Sequence, residues 1–422
     1  MKKILFITYF WPPSGKASLH WPLFVIKHLP KFGWQPFVLT ADEDTFSHND
    51  NSLLKEISPD LVVEKTKAND PFDFYRKFLG KKSDAPLVAS ETISLENRDW
   101  KHRFAIWIRM NIFIPDARIG WNFSAMDGAR KILKDHKIDA IVSIGPPHSS
   151  HLIGKKLSRQ YNIQHFPVLI DPWVDIIYYK NFKRTPVTLA LDNYFERSTL
   201  ANAERVIFVT KGTEEDYHKK YPWLEKKTNV LYWGYNEEIF AGRKKQKKEG
   251  MEILLHAGNI FDYQNPPGLW KTIQSEIARG RKLQLRFVGT VSPGIRKAIE
   301  DHNLSAVTEF IGFLPYNEAV TEMLNADYLL VCATEKRHVP GKLFEYLRTG
   351  NKIIAFGDDN KEVEEIIAQA GAGKVFPYQY SAEDIFTSVD TAQPNIEIAK
   401  QFSREIIAEK LAGIMSLSLT EK

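Results

Sequence analysis

Pro340-Gly-Lys-Leu-Phe-Glu-Tyr-Leu-Arg-Thr-Gly350 sets a cation and a carboxylate, Lys342 and Glu345, about one helical turn apart. Pro340 and Gly341 break the apolar run Tyr328–Ala333 before it, and Gly350 suits the left-handed residue that ends a helix. A lysine in the first turn opposes the helix macrodipole. An anion held there removes the conflict, because Lys342 and the free N–H groups of the first turn (Gly341, Lys342, Leu343) can all point at it. Glu345, one turn deeper, can accept two hydrogen bonds from a vicinal diol such as ribose. The plainer account of the same residues is a solvent-exposed Lys/Glu pair.

Other candidates follow strand-like runs. Asp139–Ile144 leads into Gly145-Pro-Pro-His-Ser-Ser150, and Phe166–Ile170 into Asp171-Pro-Trp-Val-Asp175. Polar motifs after the carboxyl ends of successive strands are where open α/β sheets place their sites. His148 would open a helix, where its neutral form is favoured and can hydrogen-bond a substrate hydroxyl. The first apolar run, Ile4–Thr8, is followed by the loop Trp11–Ser18 with Gly15 and Lys16. Asp42-Glu43-Asp44 could hold a divalent metal, but three carboxylates in a polar loop read as a solvated surface, so no metal is expected. One cysteine, Cys332, excludes an internal disulfide and cysteine-rich zinc sites. No residue stands out as a general base.

The elements that must position these residues read as two domains, which 422 residues suit better than a single core. A net charge of +5 is too weak to argue for nucleic acid. Met1-Lys-Lys followed by an apolar run could open a signal peptide. It reads instead as a first buried strand, since no cleavage pattern follows and Pro12-Pro13 ends it. No run approaches a membrane span, and the cytoplasm is the expected compartment. The first half alternates strand and helix, with a helix over Leu19–Phe32 interrupted near Pro22 and a last strand at Asn229–Trp233. The charged run Arg243–Lys248 reads as a linker, and a second β-α alternation follows from Glu252. Ile396–Leu417 is one long helical pattern. Residues 72–113 mix aromatic and basic side chains, as a segment at an anionic membrane surface would; a core-facing helix with a basic outer face is the other account.

These motifs together resemble those of GT-B glycosyltransferases, close to glycosyltransferase family four. The Lys-Leu-Phe-Glu-Tyr-Leu stretch is similar to that family's donor-site helix. Pro-Pro-Ser-Gly, Pro-Pro-His-Ser and Asp-Pro-Trp resemble a bacterial subgroup of it. The resemblance implies an α/β fold of two Rossmann-like domains facing an interdomain cleft. The first, 1–240, would be acceptor-side, with 396–422 crossing back to it; the second, 250–395, would bind the donor. It also implies a metal-independent, retaining transfer from a nucleotide diphosphate sugar to a lipid-linked or saccharide hydroxyl, in polysaccharide or lipopolysaccharide assembly at the inner face of the cell membrane. Glu345 would then hold ribose. Gly15, Lys16, Gly258, Asn259, Arg337, Gly341, Lys342 and Leu343 would surround the donor, and His148 and Asp171 would line the transferred sugar or acceptor. The chain departs from the pattern at three places. Arg337 stands where a first Glu is usual, Lys16 replaces a glycine, and Ile170 replaces an Arg. A nucleotide-sugar 2-epimerase shares the expected fold, and a non-catalytic binding subunit is the rival from another class.

Overall fold

The computed structural model describes residues 1–46, 49–68, 100–176, 179, 182–246, 250–380 and 384–420. They divide into two compact units. One comprises Met1–Val209, Thr213–Leu231 and Ala408–Lys422; the other comprises Tyr232–Ile407 with Thr210–Gly212.

In the first unit, β1 (Lys2–Ile7), β2 (Trp34–Ala41), β3 (Val62–Thr66), β4 (Ala140–Gly145), β5 (Gln164–Leu169), β6 (Val206–Phe208) and β7 (Thr228–Val230) form one sheet. Its order is β3-β2-β1-β4-β5-β6-β7, and every pairing is parallel. Parallel strands covered on both faces need near-continuous apolar runs, and β1 and β4 supply them. The helices are α1 (His20–His28), α2 (Trp100–Asn111), α3 (Trp121–Asp135), α4 (Ser149–Tyr161), α5 (Pro186–Asn202) and α6 (Lys211–Lys220). Pro22 does not interrupt α1, because it stands in the first turn, where its missing N–H has no partner to lose. The helical stretch ends instead in short 3-10 turns at Ala17–Leu19 and Leu29–Phe32. The expected strand at Asn229–Trp233 is shorter and earlier, at β7. Of the segment 72–113, residues 72–99 lie outside the described residues.

The second unit repeats the plan. Its strands are β8 (Glu252–Ala257), β9 (Leu283–Val288), β10 (Thr308–Gly312), β11 (Tyr328–Cys332), β12 (Lys352–Phe356) and β13 (Gly373–Phe376). They run parallel in the order β10-β9-β8-β11-β12-β13. Between and after them come α7 (Pro267–Ala278), α8 (Pro293–Asp301), α9 (Tyr316–Asn325), α10 (Lys342–Thr349), α11 (Lys361–Gln369), α12 (Ile385–Asp390), α13 (Ile396–Ala399) and α14 (Arg404–Thr420). The single helix expected over Ile396–Leu417 is therefore two. The chain turns at Ser403, which is extended, and its hydroxyl accepts from the Ile406 N–H at 3.3 Å. From Ala408 onward α14 belongs to the first unit, where the Gln164 amide donates to the Ser418 carbonyl at 2.8 Å.

Both sheets are doubly wound. The winding direction reverses between β1 and β4 in one unit and between β8 and β11 in the other. Such a switch point leaves a crevice outside the carboxyl ends of the strands.

Candidate functional site

In the second unit, the switch point gathers the loop after β8 and the N-terminus of α10. Gly258 leaves β8 with φ +98°, and Gly289 leaves β9 with φ +106°. A Cβ on Gly289 would lie 2.8 Å from the Gly258 backbone, so the two turns close only because that residue has none. The Tyr346 hydroxyl accepts from the Ala257 N–H at 2.8 Å and ties α10 to the end of β8. Gly341 precedes α10, where a Cβ would sit 2.7 Å from the Trp233 ring. Gly350 closes α10 in the left-handed region, as the sequence requires.

Lys342 is the first residue of α10. Its side chain keeps some exposed surface, but the ammonium end is enclosed. It donates to Nε2 of His256, on β8, at 2.9 Å, and lies 3.2 Å from where a Gly258 Cβ would be. Burial lowers the lysine to about 8, with Cys332 and Glu345 pulling back. Burial and then Lys342 push His256 well below the usual histidine range. His338 is lowered by the same two causes, and burial pushes the Cys332 thiol up to about 12. Loss of water thus makes the Lys342 charge unfavourable. Glu345 accepts from the Tyr316 hydroxyl at 2.6 Å, on Oε1; Oε2 makes no hydrogen bond among the described residues. Burial pushes its carboxyl up, while Arg404, the Tyr316 hydroxyl and Lys342 pull it back.

The remaining donor-side residues have other partners. The Leu343 side chain is in the core, and its N–H donates to the Pro340 carbonyl at 2.9 Å. Asn259 accepts from the Thr290 N–H at 3.1 Å. Arg337 pairs with Glu335 at 3.3 Å. The Asn360 amide donates to the carbonyls of Glu335 and His338, both at 2.8 Å, and so pins the loop that enters α10.

In the first unit, the loop after β1 and the N-terminus of α4 meet the other switch point. Gly15 is exposed. Lys16 makes no ion pair among the described residues, and burial lowers its pKa, with Arg118 and Arg109 adding to the effect. His148 precedes α4, is 5% exposed, and stacks on Trp173 with centroids 5.1 Å apart. Its ring makes no hydrogen bond of ordinary geometry, although the Pro172 backbone favours its protonated form; burial nevertheless lowers it to about 3. The neutral imidazole follows from burial first. Asp171 lies partly buried after β5. The loop holding it is anchored by α5: Asp192 accepts from the Trp173 indole at 2.7 Å, and Glu196 from the Val174 N–H at 3.1 Å.

The second unit therefore brings Lys342, Glu345 and Gly258 together, whereas in the first unit His148 lies against the loop that holds Asp171 and Lys16 lies near Arg118 and Arg109. Sequence reading missed His256, Tyr316 and Arg404 in the second unit. A histidine inside the apolar strand Ile253-Leu-Leu-His-Ala257 was a signal for the first. It also missed Asp116, which accepts from the Ser149 N–H at 2.8 Å and its hydroxyl at 2.9 Å, and so caps α4 from outside. Among the described residues, no group of three or more His, Cys, Asp or Glu is placed to hold a metal ion.

Residues 238–407 match the model of the family Glycosyl transferases group 1. The glycosyl transferases group 1 match takes in both Gly258 and the whole of α10. No curated protein matches the sequence. Among solved structures, sucrose-phosphate synthase from Thermosynechococcus elongatus is 14% identical over 100% of both chains, with a TM-score of 0.62. A glycosyltransferase from Rickettsia africae is 15% identical over 100% of this chain and 99% of its own, with a TM-score of 0.63. HepE of Anabaena, in complex with UDP and glucose, is 13% identical over 99% of this chain and 100% of its own, with a TM-score of 0.58. The α/β fold of two Rossmann-like domains is that of GT-B glycosyltransferases.

Proposed function

We propose that this protein transfers a sugar from a nucleoside diphosphate sugar to a hydroxyl acceptor. The observation that carries the reading is the Lys342 ammonium. It is enclosed at a helix N-terminus beside the Gly258 backbone, hydrogen-bonded to a neutral histidine, and without an ion-pair partner among the described residues. A diphosphate supplies the missing charge, and Lys342 opposes the negative charge that grows on the leaving group. Glu345 Oε2 accepts from a ribose hydroxyl while Tyr316 holds Oε1. Lys16 adds a second cation, and His148 and Asp171 serve the transferred sugar or the acceptor. The UDP complex of Anabaena HepE, a protein of the same fold, supports a nucleotide donor. Retention of configuration, independence of metal, a lipid-linked or saccharide acceptor and work at the inner face of a membrane rest on the motif resemblance.

Calorimetry with nucleoside diphosphate tests the ribose role. Glu345→Ala would leave Tyr316 and the nearby Arg404 without their carboxylate, so Glu345→Gln, which still accepts from Tyr316, is the companion variant. Loss of a charged diol contact is expected to weaken binding by about 1.5–3 kcal/mol. Parent-like affinity in both variants rules the ribose contact out. Incubating the protein with nucleotide sugar and no acceptor separates transfer from epimerisation, since only an epimerase would interconvert free nucleotide sugars.

A further inference from the structure

Arg404 is 2% exposed, stands at the first position of α14 and belongs to the second unit. Burying a guanidinium is costly unless an anion and hydrogen bonds compensate. A cation in the first turn of a helix also opposes the macrodipole. The compensation comes from two other helices. Arg404 lies against the hydroxyl of Tyr316, the first residue of α9, and against the Glu345 carboxylate of α10, and its charge holds both groups towards their ionised forms. The Tyr316 hydroxyl in turn donates to Glu345 Oε1 at 2.6 Å. The Tyr316 and Glu345 side chains keep some exposed surface, but the hydroxyl and the carboxyl are both enclosed.

Packing does not require this chain of three polar groups. Leu343, Phe344, Tyr346 and Leu347 bury α10, and Ala319, Val320, Met323 and Leu324 bury α9. What the three groups add is orientation. The last torsion of a glutamate side chain is broad and roughly two-fold, so an unrestrained carboxylate samples many settings. With Oε1 taken by Tyr316 and Arg404 against the group, one setting is held. Oε2 is the oxygen left open, with no hydrogen bond among the described residues.

We propose that Tyr316 and Arg404 are positioning residues of the ribose site, which hold Glu345 in the one orientation that selects ribose over deoxyribose. The inference rests on the ribose role of Glu345 proposed above. It goes beyond that role by assigning the selectivity to two residues that act through Glu345. An acceptor fixed before the ligand arrives has less to order on binding. A site built around a hydroxyl also rejects the analogue that lacks it, because its enclosed acceptor is then left unpaired.

Calorimetry tests the proposal with whichever of ADP, CDP, GDP and UDP the parent binds most tightly, and with the 2′-deoxy and 3′-deoxy forms of that nucleotide. The parent is expected to reject at least one deoxy form by about tenfold or more, as loss of a hydrogen bond to a charged group implies. Tyr316→Phe keeps the ring, removes the donor and should lower that ratio at least ~threefold. Arg404→Gln should lower it too, and Arg404→Lys, which restores the charge without the planar fork, should recover part of it. A ratio of affinities does not depend on the fraction of protein folded, so a destabilised variant still reports. Arg348→Gln breaks the pairing of α10 with Glu237, at 2.7 Å, and should leave the ratio unchanged.

The pH profile of the ratio separates orientation from packing. The groups that face the Glu345 carboxyl are Arg404 from α14, Tyr316 from α9, and Lys342 and Tyr346 from its own helix. Burial raises its pKa, and Arg404, Tyr316 and Lys342 lower it. The ratio therefore falls as pH drops through that pKa, and without the Tyr316 hydroxyl it should fall at a higher pH than in the parent. The diphosphate and Lys342 titrate with either ligand and cancel in the ratio. A Tyr316→Phe protein with the parent's ratio and the parent's pH profile overturns the proposal while the ribose role of Glu345 stands. So does an Arg348→Gln protein that loses the ratio as fully as Tyr316→Phe. A parent that binds the ribose and deoxyribose forms alike, or none of the four nucleotides, overturns the ribose role itself.

Discussion

Lys342 carries its charge where a charge is costly. An exposed lysine titrates at 10.5, this one at about 8. Between those values the unfolded chain binds more protons than the folded one, so this group makes the empty protein more stable as pH rises. Well below pH 8 the penalty is fully present, on the order of 3 kcal/mol. Lys342→Gln keeps a donor for His256 and removes the charge. The variant should melt above the parent at pH 7, and the gap should close towards pH 10.5. A variant that melts below the parent at pH 7 would mark Lys342 as structurally required. A bound diphosphate acts in the opposite sense, since it raises the lysine again. Nucleoside diphosphate binding at pH 8–9 should therefore take up a proton. Heats measured in two buffers of different ionisation enthalpy should show that uptake in the parent and lose it in Lys342→Gln.

At the scale of elements, β4, α4 and β5 are fastened by one hydroxyl. Ser143 Oγ lies 2.7 Å from His151 Nδ1 and 2.7 Å from His165 Nε2, and all three residues are fully buried. A hydroxyl can donate to one ring and accept from the other, so it satisfies two helix–strand partners at once. Helix α4 comes this close only because glycine faces it: a Cβ on Gly145 would be 2.4 Å from His151 Nε2 and 2.7 Å from His148 Nδ1. Ser143→Ala leaves two imidazole nitrogens buried without partners, and each such group costs about 1–3 kcal/mol. Urea unfolding should show a loss of roughly 2–4 kcal/mol. An unchanged midpoint would mean that the bridge adds nothing to stability.

At the scale of the whole molecule, the described residues form two sheets, each with its own hydrophobic clusters. Units with separate cores can unfold separately. Calorimetry should resolve two transitions, and saturating nucleoside diphosphate should raise one of them, by about 2.7 kcal/mol at a hundredfold excess over Kd. All of the ten tryptophans except Trp233 and Trp270 lie in the first unit, so fluorescence follows the other transition. If the ligand raises the fluorescence-detected melt as much as the calorimetric one, the donor does not belong to residues 232–407 alone.

The sequence alone determined what depends on neighbours along the chain. Apolar runs punctuated by Gly and Pro marked most of the strands, and Pro340 and Gly350 bounded α10, because strand burial and helix termination are set within a few residues. Edge strands β3 and β13 went unread; one is Val62-Val-Glu-Lys-Thr66, whose half-exposed face lacks the apolar signal. The break at Ser403 hid inside a continuous helical pattern. The tertiary structure alone decided what depends on distant partners. His256 meets Lys342 across 86 positions, Tyr316 meets Glu345 across 29, and Asp116 meets Ser149 across 33. No spacing rule encodes such pairs, because burial, and with it the cost of each charge, exists only once the chain has folded. The same holds for α5. Its sequence carries apolar and polar residues in ordinary proportion, and only its packing shows that Asp192 and Glu196 turn inward while Val187, Leu191 and Tyr194 turn out.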